Sequence, residues 1–185
     1  MKKIALLMKD LFGNALLDYH NGNYTEDIIT STSISGEDVL PLPYLFRSFN
    51  EMPKLEQKAL KLAKGLVLDV GCGSGSHSLY LQEKGLKVKA IDISKGAVKV
   101  AKQRGVLHAE TINILDETET FDTILLLMNG TGISGSPSSG KRSIAMIPPM
   151  TAKIIMPMVM RQLSMANLTI PSILASRLRK SNFDL

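Results

Sequence analysis

A chain of 185 residues lies in the size range of one domain and can bury a real core, so any second domain would have to be small. Its apolar content is ordinary for a soluble protein, and no stretch reaches the roughly 18 to 20 uninterrupted apolar residues of a membrane span, which sets a membrane partner aside. The net charge of +5 comes from the tail: residues 1–133 hold 15 Lys/Arg against 16 Asp/Glu and residues 134–185 hold 7 against 1, so the near-neutral body disfavours a nucleic-acid partner.

The opening MKKIALLMKD has the basic residues and short apolar run of a signal peptide, but Lys9 and Asp10 break the run and no small-residue cleavage site follows. Residues 2–19 instead place Ile4, Leu7, Met8, Leu11, Phe12, Ala15 and Leu16 at a three-and-four spacing, which predicts an amphipathic helix. Residues 20–43 are rich in Asn, Gly, Ser, Thr and Pro with little periodicity, which predicts a long loop suited to a lid. A helical pattern resumes over residues 56–63, and Gly65 beyond it suits a left-handed helix end. The single Cys72 cannot form an internal disulfide, which fits a reducing, cytoplasmic setting.

From Leu66 the pattern alternates. LVLDV reads as a short buried strand, GCGSG as a turn opening a helix through HSLYLQEK that Gly85 closes, and LKVKAID as the next strand. Ser94 can cap a following helix with Ala97, Val98 and Ala101 on its apolar face; Gly105 ends it, VLHAETI is a third strand and FDTILLLM a fourth. Strand and helix in alternation mean a parallel sheet, so the fold class is α/β. The expected organisation is an N-terminal helix, loop and lead-in helix over residues 1–63, a ligand-binding core over 64–133, and a tail over 134–185. That tail has no clear strand or helix period, and one acidic and one aromatic residue among nine Ser and six Met distinguish it from both a charged disordered segment and a packed core. The abrupt change near Ile133 suggests translation in a shifted reading frame.

The chemistry-bearing constellation is Val67-Leu68-Asp69-Val70-Gly71-Cys72-Gly73-Ser74-Gly75 with Asp92 at the end of the next strand. Glycines at alternate positions bring bare backbone against a ligand at the positive end of a helix. An acid at the carboxyl end of the neighbouring parallel strand can accept from both hydroxyls of a ribose, which implies an adenosine ligand. A nicotinamide site would need a third glycine at position 76, where Ser stands. Residues 135–142 approach a phosphate-binding loop but put Arg142 where Ser or Thr must ligate magnesium. Cys72 near a helix N-terminus lacks an evident His or Lys to activate it and reads as a packing residue; His77 on the first turn of that helix faces either the cofactor or, the favoured reading, solvent; His20 and His108 have no metal-ligand spacing, so no metal is expected. Asp69 and Asp92 also admit a plain structural reading, as a turn former and a helix cap.

This constellation resembles the first motif of the class I, Rossmann-like S-adenosylmethionine-dependent methyltransferases, and Ala90-Ile91-Asp92-Ile93-Ser94 resembles their second-strand acidic motif. FDTILLLMNGTGI resembles their fourth strand and the loop after it. The resemblance implies a three-layer parallel α/β sheet, incomplete here, with S-adenosylmethionine as cofactor. It implies that Gly71, Cys72, Gly73 and Gly75 shape the methionine pocket, that Asp69 orients the amino group, and that Asp92 holds the ribose with Ile93 beside it. Asn113 is the best match for the adenine contact, with Ile114 beside the ring, and Asn129 with Gly130 would line the path of the methyl group. Methyl transfer is an in-line displacement at a sulfonium carbon, so such an enzyme chiefly aligns and desolvates its reactants. The expectation is a small-molecule methyltransferase, with a cofactor-binding protein lacking turnover and a nucleic-acid methyltransferase as the alternatives.

Overall fold

The computed structural model describes residues 10–30, 37–127 and 153–155. Its centre is a parallel sheet formed by β3 (Leu66–Val70), β4 (Lys87–Asp92), β5 (Ala109–Thr111), β6 (Thr123–Leu125) and β7 (Lys153–Ile155), in the spatial order β5-β4-β3-β6-β7. Four consecutive buried residues of β3, from Val67 to Val70, explain why it takes the middle: a strand covered on both faces reads as a continuous apolar run, interrupted here only by Asp69. The chain steps outward from β3 to β4 and β5, then returns to pair β6 on the other side of β3. This reversal opens a crevice at the carboxyl ends of β3 and β6, the place where open parallel sheets bind ligands.

Helices α3 (Lys54–Leu62), α4 (Ser76–Glu83) and α5 (Lys95–Gln103) share one face of the sheet. Ala59, Leu60 and Leu81 pack with Val67 and Val88, while Val98 and Ala101 pack with Ala90 and Ala109. On the opposite face Leu68, Val70, Ile91, Ile124 and Leu126 pack with Ile114 and Phe121 from the connection between β5 and β6, and no α-helix of the described residues packs in this cluster. The parallel α/β Rossmann-like sheet is therefore as expected, with its helices described on one side only.

Before this core, α1 (Leu11–His20) and α2 (Leu42–Leu45) pack on the far side of α5, where Leu16 and Leu42 meet Ala97 and Val100. Residues 1–9 of the expected first helix lie outside the described residues; of its expected stripe, Phe12, Ala15 and Leu16 pack inward and Leu11 does not. Leu11 is 71% exposed and Gly13 is buried, because α1 crosses α5 at a glycine pair: a Cβ on Gly96 would lie 2.5 Å from the Gly13 backbone.

Two further expectations are corrected. Residues 20–43 are not one loop: β1 (Ile28–Thr30) and β2 (Asp38–Leu40) form an antiparallel hairpin with Ile29 opposite Val39, and α2 begins at Leu42. Strands of three residues are too short to show an alternating period, and the order comes from tertiary bonds, with Asp27 accepting from the Leu42 N–H at 2.9 Å and from the Tyr24 hydroxyl at 2.7 Å. Within residues 134–185, read as lacking strand period, β7 pairs in parallel with β6, Ile154 opposite Ile124. Adjacent β-branched Ile154 and Ile155, bounded by Pro157, suit a strand end but give no period to read.

Candidate functional site

The glycine turn follows β3 at the sheet crevice. Gly71, Gly73 and Gly75 have φ of 71°, 54° and 84°, left-handed values that explain the alternate glycines. Gly71 and Cys72 both donate their N–H to the Ile91 carbonyl, at 2.8 and 3.1 Å, which ties the turn to the end of β4. Gly75 caps α4 from the left-handed region, and a Cβ there would come within 2.6 Å of Val106. At Gly73 a Cβ would meet nothing nearer than the Phe12 ring at 3.9 Å, so this backbone is approachable.

Asp69 is 1% exposed and accepts the Ser78 hydroxyl at 2.6 Å, so β3 and α4 hold its carboxylate at the root of the turn. Asp92 ends β4 and accepts two backbone N–H groups, Gly73 on Oδ2 at 3.0 Å and Ser94 on Oδ1 at 2.9 Å. Each oxygen keeps a further lone pair. Burial pushes the Asp92 carboxyl above its usual range, against the opposing effect of those N–H groups. Ile93 beside it is 68% exposed, an apolar side chain standing free next to a ligand-capable acid. Cys72 is buried among Ala90, Val98 and Ala101, and burial pushes its thiol well up, so it packs and is not a nucleophile.

Of the other expected residues, Asn113 follows Ile112, whose N–H donates to the Asp92 carbonyl at 3.1 Å. Asn113 caps the short helical turn Ile114–Asp116, accepting the Leu115 N–H at 3.0 Å. Ile114 is buried among Leu68, Val70 and Phe121. Asn129, Gly130 and the loop at 135–142 lie outside the described residues.

The sequence did not reveal two clusters bordering the turn. Ser74 and Ser76 both donate their hydroxyls to the Leu45 carbonyl. Arg104 donates to the Ser74 carbonyl at 2.8 Å, to the hydroxyls of Ser74 and Ser76, and to the Phe46 carbonyl at 3.2 Å. Residues 45–46 are thereby latched to the turn by a half-buried guanidinium, lowered in pKa by that burial. Beside it, Glu56 pairs with Arg47 and with His77 Nε2 at 3.2 Å, all three being buried. Burial raises the Glu56 carboxyl, but its bonds to His77 and Arg47 outweigh this and hold it below the usual range. His77 thus faces the interior, correcting the solvent-facing expectation; Glu56 lies one turn along α3 and no local spacing links the two. No group of three or more His, Cys, Asp or Glu among the described residues could hold a metal.

A parallel sheet whose central strand runs into this glycine turn, with an acid ending the adjacent strand, is the Rossmann-like nucleotide-binding arrangement. Residues 67–136 match the family model described as a methyltransferase domain. The chain is 48% identical to a S-adenosylmethionine-dependent methyltransferase from Bacteroides fragilis solved with S-adenosyl-L-homocysteine, superposing with a TM-score of 0.64 over 69% of this chain and 54% of that one. It is 32% identical over 59 residues to the malonyl-[acyl-carrier protein] O-methyltransferase of Serratia marcescens, covering 32% of this chain and 23% of that protein. Over this region the chain is similar to the class I S-adenosylmethionine-dependent methyltransferases, and it spans about half the length of the solved relative.

Proposed function

We propose that this chain binds S-adenosylmethionine and transfers its methyl group to a small molecule admitted beside α1 and the hairpin. The observation that carries the reading is the approachable Gly73 backbone bonded to Asp92, with Ile93 exposed beside it. Gly71, Cys72, Gly73 and Gly75 would hold the methionine end through backbone, Asp69 would act on the amino group, and Asp92 would take the ribose hydroxyls. Asn113, Ile114 and Asn129 remain the assignments for the adenine and the methyl path. When bound, the cofactor supplies an electrophilic methyl group; the chain's own residues bind, orient and exclude water. In this reading the cap lies within residues 1–63, with α3 packed on the sheet of a core at 64–133. No helix of the described residues is long and apolar enough to cross a membrane, and the lone cysteine supports a cytoplasmic setting.

Calorimetry with S-adenosyl-L-homocysteine is the test. Wild type is expected to bind and Asp92→Ala to bind at least tenfold more weakly, on the order of one charge-assisted hydrogen-bonding group lost. Equal affinities would remove Asp92 from the site. A second reading, cofactor binding without turnover, is favoured by the family match ending at residue 136, close to the change of composition near Ile133. Resequencing the coding DNA across the codons for residues 130–140 decides it: a different frame that resumes alternating strands and helices supports the non-catalytic reading. An unbroken frame together with methyl transfer to a small molecule supports the enzyme.

A further inference from the structure

Asp10 stands just before α1, 84 positions from Ser94 in the chain, yet its carboxylate joins two helices. Oδ1 accepts the Gly13 N–H at 2.9 Å, while Oδ2 accepts the Gly96 N–H at 2.9 Å and the Ser94 hydroxyl at 2.8 Å. One side chain therefore caps α1 and α5 together, and two helix N-termini, each carrying partial positive charge, converge on one anion. Burial raises the Asp10 carboxyl, but the bonds from Gly96, Gly13 and Ser94 outweigh it and hold the group ionised below its usual range.

Ser94 is the joint between this cap and the site. Its hydroxyl donates to Asp10 and accepts the Ala97 N–H at 3.0 Å, and its backbone N–H donates to Asp92 Oδ1 at 2.9 Å. Asp92 then accepts from Gly73 on its other oxygen. An unbroken series of hydrogen bonds runs from the start of α1 through Ser94 and Asp92 into the glycine turn. The same helix puts Phe12 over Gly73, and the Gly13–Gly96 crossing sets how closely α1 sits.

We propose that Asp10 is a positioning residue for cofactor binding, which by pinning Ser94 holds Asp92 in the orientation that receives the ribose. The inference rests on the assignment of Asp92 as ribose anchor made above. With each Asp92 oxygen already holding one N–H, the lone pairs left over point in set directions, and an anchor fixed before the ligand arrives spends less binding energy on ordering. Docking of α1 and readiness of the anchor become one event.

The experiment compares the full-length wild type, Asp10→Asn and Ser94→Ala by calorimetry with two ligands, S-adenosyl-L-homocysteine and its analogue lacking both ribose hydroxyls, alongside amide hydrogen exchange. Asp10→Asn keeps the shape but puts an amide nitrogen against a donor. Both variants are expected to bind the natural ligand about tenfold more weakly than wild type. All three proteins are expected to bind the analogue alike, since it offers Asp92 nothing to hold. Equal weakening for both ligands would mark a general structural defect and overturn the proposal, as would no weakening. If wild type fails to bind the natural ligand, the cofactor reading falls, and the exchange data judge Asp10 separately: faster exchange at Gly73 in Asp10→Asn supports the coupling and unchanged protection overturns it. Should Asp10→Asn not fold, Ser94→Ala, which leaves the Asp10 bonds to Gly13 and Gly96 in place, carries the same comparison.

Discussion

Asp92 is buried enough to be raised in pKa, and in the proposed site it is the group offered to the ligand's ribose. Ribose hydroxyls donate to the ionised carboxylate, so affinity for S-adenosyl-L-homocysteine is expected to fall as pH drops through the Asp92 value, which lies above the ordinary 3.8. A pH series of calorimetric titrations should show this acid limb in wild type and lose it in Asp92→Asn. Glu56 has the opposite sign: its folded pKa is depressed, so its contribution to stability is present above the unfolded value of 4.5 and is lost as pH falls through the folded one. Glu56→Gln leaves the buried Arg47 without its carboxylate, and urea unfolding at neutral pH should show a loss of about 3 kcal/mol. The two residues also differ in how readable they are. Asp92 and the glycines sit in strand-turn-helix units where spacing encodes position. Glu56, Arg47 and His77 come from α3, the segment before it and α4, and only tertiary packing brings them together.

At the scale of elements, sequence reading succeeded where a strand is buried on both faces and failed where order is borrowed from neighbours. β3 announces itself as an apolar run that leads into Gly71, and β4 as the alternating segment KVKAID that ends in Asp92. The hairpin of β1 and β2 and the three-residue β7 carry no such pattern, and in α1 apolar spacing places Phe12, Ala15 and Leu16 but gives no account of the glycine contact that leaves Leu11 outside. That contact is testable. A Cβ on Gly96 has no room against the Gly13 backbone, where no flexible side-chain end can yield, so Gly96→Ala is expected to cost about 1 to 3 kcal/mol. Differential hydrogen exchange should place the loss in α1 and α5 and spare β3. Exchange spread evenly over the sheet would mean that α1 is not an independently docked element.

For the whole molecule, binding and turnover separate. The described residues bring together the glycine turn, the acid of the second strand and the crevice at the sheet reversal, which are the parts a cofactor site requires. The helices covering the sheet are described on one face only, and the chain spans about half of the solved relative, so residues that select an acceptor need not lie in the same part of the fold as those that hold the cofactor. A ligand that binds only the folded state stabilises it by mass action, whatever happens to the acceptor. At a hundredfold excess over Kd this amounts to about 2.7 kcal/mol. Thermal unfolding in S-adenosyl-L-homocysteine should therefore show a concentration-dependent rise in Tm that Asp92→Ala lacks at the same concentrations. If the rise is present and labelled methyl reaches no small-molecule acceptor, the chain is a cofactor-binding protein without turnover. If Tm does not move at saturating ligand, the turn and Asp92 serve the fold alone, since a completed site must couple its occupancy to folding.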